Sequence, residues 1–167
     1  GDVFVVDERT LWTDEDFGEA YICVELGPSQ TLTLLEDSGS LSGYDATAYQ
    51  QNCESGARGQ EVVVKHPYRI NEGRVRFHYK LENTVDFFSD VVQWYWEISG
   101  RKDSRIRGYK LEVNIPSAMA EPFNAYVHRF SNTELPTVVL SPDRSKLTVT
   151  FNRIPAGEGV EIRYLMN

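Results

Sequence analysis

The amino-acid sequence predicts an all-β fold, an antiparallel β-sandwich in one domain. Three observations support this prediction. Apolar side chains recur at every second residue in several runs, which is the period of a half-buried strand. Aromatic residues make up 12% of the 167 residues, a usage that suits sheets better than helices. No amphipathic helix longer than a turn or two is visible, and the runs are spaced as sandwich strands are.

Three strand-like runs precede a polar segment in the first third of the chain. They cover Val3–Trp12, Ala20–Leu26 and Thr31–Leu35. Asp37–Gly59 then contains many Gly, Ser, Ala, Asn and Gln residues and almost no branched apolar ones. Its length exceeds the usual loop limit of about 12–15 residues, so we predict a long polar loop at 37–59.

The middle of the chain holds the clearest alternation. After a weaker run at Glu61–Lys65, apolar residues alternate with charged or polar ones as far as Glu82. The apolar positions are Val75, Phe77, Tyr79 and Leu81. This pattern predicts a strand with one face in a core and the other in water.

The segment Tyr79–Gly100 is the most aromatic part of the chain. Read as a strand from residue 91 onward, it separates its side chains into two faces. One face holds Val92, Trp94, Trp96 and Ile98, and the other holds Val91, Gln93, Tyr95 and Glu97. Because the tryptophans share their face with aliphatic residues, we predict that they face the core and that Tyr95 reaches solvent.

The remaining runs complete about ten strands. The strongest has Tyr109, Leu111, Val113 and Ile115 on one parity and stops at Pro116, which cannot donate to a ladder. The others are Phe123–Phe130, Thr137–Leu140, Leu147–Phe151 and Val160–Tyr164, the last following a turn at Pro155–Gly159. We therefore predict a single immunoglobulin-like sandwich domain over residues 1–167.

The net charge of −8 is unevenly distributed. Residues 1–62 contain thirteen acidic residues and two basic ones, Arg9 and Arg58, whereas residues 63–167 contain twelve acidic and fifteen basic residues. A strongly acidic lobe repels nucleic acid and anionic lipid, so no nucleic-acid partner is predicted.

Metal and cofactor chemistry find little support in the sequence. The three histidines lie in different runs, away from any second His or Cys at ligand spacing, and no phosphate-binding motif or cofactor is predicted. The densest carboxylate cluster is Asp14, Glu15, Asp16 and Glu19. It resembles half of an EF-hand loop without the distal glutamate, so no metal site is predicted and calcium stays an open alternative.

An enzymatic site is not predicted, because no serine has an activating frame and no carboxylate pair can be assigned from spacing alone. The residues with a claim on binding are Tyr95 and the acidic residues nearest the aromatic run, Glu82, Asp86 and Asp90. The alternative to a binding or structural module is a carbohydrate-binding module or cell-wall glycosidase that uses these residues.

Cys23 and Cys53 are the only cysteines and lie 30 residues apart. Without a CxxC motif or a nearby histidine, they are consistent with either one disulfide or two unreactive thiols. A bridge would attach the polar segment to the strand that carries Cys23.

Several motifs resemble the domain of unknown function 2207 family of predicted bacterial membrane proteins, over nearly the whole chain. They are Val5-Val6-Asp7-Glu8-Arg9, Phe77-His78-Tyr79-Lys80-Leu81, Val85-x4-Asp90-x3-Trp94-Tyr95-Trp96, Val113-Asn114-Ile115-Pro116 and Ile154–Arg163. Residues 14–55 match little of the family. Where the family usually has Glu-Leu before Tyr-Trp, this chain has Gln93-Trp94, which removes an acidic side chain.

The resemblance implies a location and a disulfide, but no activity. Members of the family have a secretion signal, an extracytoplasmic β-rich domain and membrane helices. We therefore expect an extracellular domain at the bacterial cell surface, anchored by a transmembrane helix outside residues 1–167, with a bridge between Cys23 and Cys53. The expected partner is an unknown protein or a cell-envelope glycan.

Overall fold

The computed structural model describes residues 2–43, 45–53, 58–87, 89, 92–99, 104–114, 122–129 and 134–166. Within these ranges the chain is all-β, its strands form antiparallel sheets, and no helix occurs. The strands are β1 Asp2–Glu25, β2 Thr31–Leu34, β3 Gly39–Ser40, β4 Thr47–Asn52, β5 Gly59–Glu82, β6 Val85–Phe87, β7 Val92–Ser99, β8 Ser104–Asn114, β9 Pro122–Arg129, β10 Thr137–Leu140, β11 Lys146–Phe151 and β12 Gly159–Met166.

The larger sheet is built around two strands of 24 residues each, β1 and β5. They pair antiparallel from Asp2 opposite Glu82 to Glu25 opposite Gly59. The strand order is β10-β11-β8-β1-β5-β2, and β3 and β4 also pair with β5. Because β1 occupies one edge of β5, the three short strands β2, β3 and β4 share the other edge.

The pairing of β1 with β5 is irregular between Trp12 and Glu19. This irregularity separates the two apolar runs that the sequence places in the first 26 residues. The structure joins them into one strand, as it joins the runs at Glu61–Lys65 and Val75–Leu81 into β5. The described residues accordingly form twelve strands with different boundaries from the ten expected.

The smaller sheet has the order β6-β7-β12-β9. Strand β12 lies in its middle, with Arg163 opposite Tyr95 of β7 and opposite Tyr126 of β9. Along β12, Ile162 and Tyr164 are fully buried, whereas Arg163 is exposed. One face of this sheet therefore packs inward and the other meets solvent.

Both sheets contribute to one buried cluster. Phe77, Tyr79 and Leu111 of the larger sheet belong to it together with Trp94 and Tyr164 of the smaller sheet. These positions alternate with exposed or half-buried neighbours, as the period-two pattern predicts. At about 25 cal/mol per Å² of apolar surface removed from water, this shared core is the main source of stability.

The prediction of a long polar loop over 37–59 is wrong for two segments. Gly39–Ser40 and Thr47–Asn52 form β3 and β4, which pair with β5. Their polar composition hid them, because an edge strand needs a partner backbone more than it needs apolar side chains. β5 is long enough to supply that partner on its second edge.

The predicted bridge between Cys23 and Cys53 is confirmed, with a Cα–Cα distance of 5.6 Å. Cys23 lies in β1 and Cys53 directly follows β4, so the bridge connects strands on the two sides of β5. The backbones approach closely here: a Cβ atom on Gly59 would lie 2.2 Å from the carbonyl oxygen of Val24. Only glycine fits this position without a shift of the backbone.

Candidate functional site

The outer face of the smaller sheet carries a row of two tyrosines and an arginine. Tyr95, Arg163 and Tyr126 lie side by side on β7, β12 and β9. Tyr95 is 36% exposed and Tyr126 is 49% exposed. The guanidinium carbon of Arg163 lies 5.8 Å from the centre of the Tyr95 ring, within the range of a cation–π contact.

Glu161 orders the polar groups beside this row. Its carboxylate accepts a hydrogen bond of 3.0 Å from the hydroxyl of Tyr95. The same carboxylate lies 3.6 Å from Nδ1 of His128 and 3.7 Å from the guanidinium of Arg163. We call Tyr95, Tyr126, His128, Glu161 and Arg163 the tyrosine surface. Within it, Glu161 positions Tyr95 and Arg163 before any partner binds.

The tryptophans lie on the other side of the same sheet. Trp94 is 1% exposed, as predicted, and Trp96 is partly buried against the core. Their rings stack with centroids 5.6 Å apart, and Trp96 also lies 5.9 Å from Tyr79. Neither indole nitrogen has a hydrogen-bond partner within the described ranges. The Trp-Tyr-Trp triplet is thus mainly core, with Tyr95 alone turned to solvent.

The acidic residues expected near Tyr95 are separated. Asp86 lies on β6, opposite Gln93 on β7 and exposed in the same sheet as Tyr95. Glu82 lies at the end of β5 in the larger sheet, where it accepts hydrogen bonds from Lys80 and Thr31. These hydrogen bonds and the Lys80 charge lower the pKa of Glu82. The third predicted residue, Asp90, falls outside the described residues.

The outer face of the larger sheet has a different chemistry, since its charges are paired with one another. Arg76 bonds to Glu8 at 2.6 Å and lies 3.6 Å from Asp37. Glu112 lies 2.7 Å from Lys146 and 3.1 Å from Lys110. A face covered by solvated ion pairs makes a poor interface core, because charged residues are depleted at such centres.

A charged pair is buried in the larger sheet. Asp7 is fully buried and receives two hydrogen bonds of 2.8 Å from Arg9 and one of 3.0 Å from the Tyr109 hydroxyl. Burial opposes the charge on Arg9, but the charge and hydrogen bonds of Asp7 outweigh it and raise the pKa of Arg9. Burial also raises the pKa of Tyr109, reinforced by the charge of Asp7. Because the cluster is closed to solvent, we interpret it as part of the structural core.

The acidic cluster lies at the irregularity between β1 and β5. Asp14, Glu15, Asp16 and Glu19 line an open cavity of about 750 Å³ together with cations such as Lys65 and Arg69. Glu19 lies 3.3 Å from Lys65. Within the described ranges, no group of three or more His, Cys, Asp or Glu residues is arranged to hold a metal ion. Calcium binding therefore gains no support from the geometry.

Most residues of the tyrosine surface are not predicted as a site from the sequence. The alternation around Ile162 places Glu161 and Arg163 on the polar side of a strand, so the sequence alone predicts that both face solvent. What the sequence could not supply is the pairing of β12 between β7 and β9, which brings Tyr126 and His128 to the same place. Tyr95 was found because it breaks an otherwise buried aromatic run.

The chain matches a protein-family model over nearly its whole length. The family model described as "Predicted membrane protein (DUF2207) N-terminal domain" covers residues 1–166. Searches of curated proteins and of solved structures return no significant match. Among the described residues, no helix has the length and apolar character needed to cross a membrane.

Proposed function

The chain belongs to the domain of unknown function 2207 family, and from this membership we propose that it is an extracytoplasmic, non-enzymatic binding module. In this proposal the module is an immunoglobulin-like β-sandwich and forms part of a membrane-anchored bacterial protein. Two antiparallel sheets that share one core support the sandwich. The Cys23–Cys53 bridge supports an oxidising compartment, since disulfides persist outside the cytosol.

The observation that carries the proposal is the tyrosine surface. Tyrosine and arginine are enriched at the centres of protein interfaces, where they contribute much of the binding energy. Glu161 fixes both Tyr95 and Arg163 in advance, which lowers the entropy lost on binding. A protein partner is therefore favoured over a sugar, because Arg163 already occupies a face of the Tyr95 ring.

An enzymatic role receives less support from the geometry. A glycosidase needs two carboxyl groups about 5–10 Å apart across the scissile bond. Of the three acidic residues proposed near Tyr95, Glu82 is engaged with Lys80 in the other sheet and Asp86 shares the sheet of Tyr95, while Asp90 is outside the described residues. The proposed partner is a protein of the cell envelope that contacts the tyrosine surface.

Site-specific photocrosslinking in cells that make the full-length protein tests this proposal. A photoreactive phenylalanine analogue replaces Tyr126, and a matched variant carries it at Thr33, which is exposed on β2 of the larger sheet. We expect one discrete protein adduct from position 126, reduced at least about tenfold by Arg163→Glu, which corresponds to 1.4 kcal/mol. The position-33 variant should not form it.

Equal adduct patterns from positions 126 and 33 would contradict the proposed surface, as would an adduct that is insensitive to Arg163→Glu. Circular dichroism of the purified Arg163→Glu domain controls for folding. If the adduct forms only with a glycan, the carbohydrate-binding alternative replaces the protein-binding one.

A further inference from the structure

A second cavity, of about 580 Å³, lies where the edges of β2 and β4 come together. Its apolar lining includes Leu26 and Leu32, which are buried, and Pro28. Its polar lining consists mainly of side-chain amides. The volume falls within the range of about 300–1,000 Å³ that small-molecule sites occupy.

The amides of this cavity are fixed by one another and by the backbone. Oε1 of Gln50 accepts a 3.2 Å hydrogen bond from the Leu34 amide, and its Nε2 donates to the Leu32 carbonyl at 3.0 Å. Gln50 thereby pairs with the free edge of β2 as a neighbouring strand would. It also donates to Gln60 at 3.1 Å, and Gln60 donates to Asn52 at 2.8 Å.

This network leaves the cavity with an excess of hydrogen-bond donors. Asn52 and Gln30 use their side-chain oxygens as acceptors, from Gln60 and from the Gly27 amide. In the described part of the chain, the side-chain nitrogens of Asn52 and Gln30 and the guanidinium of Arg58 have no acceptor. No carboxylate is among the described residues that line the cavity. An occupant should therefore offer acceptors, and at Arg58 a negative charge.

The charge of Arg58 is unusual for its surroundings. Residues 1–62 hold thirteen acidic residues and only two basic ones. The other basic residue, Arg9, is buried against Asp7. Arg58 is thus the one cation of this acidic stretch that is exposed and without an ion pair among the described residues. Arginine recognises carboxylates with two parallel hydrogen bonds, which makes it a specific anchor.

We propose that the cavity between β2 and β4 binds a single uronic-acid unit of an otherwise neutral glycan, since the acidic charge of residues 1–62 repels a polyanion. The carboxylate pairs with Arg58, the hydroxyl oxygens accept from Asn52 and Gln30, and the C–H face of the sugar packs on Leu26 and Leu32. A plain carboxylate would leave the amides and the apolar floor unused. This site is separate from the tyrosine surface and does not depend on it.

Titration of the folded domain with methyl galacturonoside, a sugar with one carboxylate, tests the proposal. Binding is followed by calorimetry and by the side-chain amide resonances of Gln50, Asn52 and Gln60. We expect a dissociation constant of about 0.1–1 mM, in the range of about −4 to −5.5 kcal/mol. Arg58→Gln should weaken binding at least about tenfold. Arg153→Gln, which removes another exposed arginine outside the cavity, should leave it unchanged.

Three further ligands identify the chemistry recognised. The methyl ester of methyl galacturonoside should bind at least about tenfold more weakly, because it carries no negative charge. Acetate should not shift the amide resonances at equal concentration. N-acetyl-triglycine, which carries a peptide carboxylate, should bind more weakly than the sugar acid.

Several outcomes would overturn the proposal. They are the absence of any Arg58-dependent shift with methyl galacturonoside up to about 10 mM, equal binding of acid and ester, or tighter binding of the peptide carboxylate. Because the carbonyl of Arg58 accepts a hydrogen bond from the Leu26 amide, Asn52→Asp provides a second variant that leaves this backbone contact unchanged. Its added negative charge should also abolish binding of the sugar acid while the fold, checked by circular dichroism, is retained.

Discussion

At the scale of single residues, the ion pair between Asp7 and Arg9 is the most demanding feature of the core. Asp7 is fully buried and the side chain of Arg9 is 10% exposed. Their charges lose hydration on folding, and this cost is offset only by close contact and by the hydroxyl of Tyr109. Arg9 also lies 5.6 Å from the Tyr109 ring and 5.8 Å from the Phe77 ring. The pair is therefore integrated into the packing of three strands.

Removal of one partner should destabilise the domain strongly. Asp7→Leu leaves the Arg9 charge buried without its counter-charge, so we expect a loss of about 3–5 kcal/mol in the free energy of unfolding. Arg9→Met should cost a similar amount. The double variant should lose much less than the sum, because neither charge then stays unpaired.

Urea unfolding of the two single variants and the double variant measures this coupling. Glu19→Gln, which removes an exposed charge of β1 beside Lys65, serves as the control and should cost less than about 1 kcal/mol. Additive losses in the double variant would show that the pair has no coupling, contrary to expectation.

At the scale of elements, β5 organises the larger sheet, because it pairs with β1 on one edge and with β2, β3 and β4 on the other. The disulfide connects β1 to the end of β4 across the start of β5. The backbone amide of Cys53 donates to the carbonyl of Gly59, which continues the β4 pairing to this point. The bridge thus closes the part of the sheet that contains the polar strands.

Loss of the bridge should weaken this end of the sheet. In the chain-entropy model, a bridge between residues 30 apart stabilises a protein by about 3–4 kcal/mol. We expect the Cys23→Ala/Cys53→Ala double variant to lose an amount of this order in urea unfolding. Amide hydrogen exchange should accelerate most in β4 and less in β8 and β11, which pair away from the bridge.

A uniform increase in exchange over β4, β8 and β11 would instead mean that the whole sheet opens as one unit. The wild-type protein under reducing conditions provides the matched control, since it loses the same covalent bond without any substitution. The two preparations should have similar unfolding midpoints.

At the scale of the whole molecule, the sequence predicted the class of fold better than its connections. Period-two alternation identified the inward residues of β5, β8 and β12, because burial on one face leaves a local trace in the sequence. The strands within 37–59 were not predicted, because the mostly polar side chains of β4 show no apolar alternation and the strand forms by backbone pairing with the start of β5. The tyrosine surface illustrates the same limit: Tyr95 carries a local signal, but Tyr126 joins it only through the order of strands.

The stability of the whole domain should fall as the pH is lowered, in two steps. Burial lowers the pKa of His66 below its ordinary 6.5, so the unfolded chain binds more protons than the folded one below about that pH. Burial opposes the charges of Asp37 and Glu112, but His78 and Lys146 outweigh it and lower the pKa of both carboxyls. Their contribution is present above their ordinary values of 3.8 and 4.5 and is lost below them.

The decrease in stability in the first step should depend on His66. Between pH 7.5 and 5 we expect the free energy of unfolding to decrease by up to about 1.4 kcal/mol per pH unit, the limit for one proton. His66→Gln should flatten this decrease, because glutamine does not titrate, whereas the loss below about pH 4.5 should remain. His128→Gln is the matched control, since His128 is exposed on the smaller sheet. An unchanged pH profile in His66→Gln would mean that His66 is protonated equally in both states, contrary to the effect of its burial.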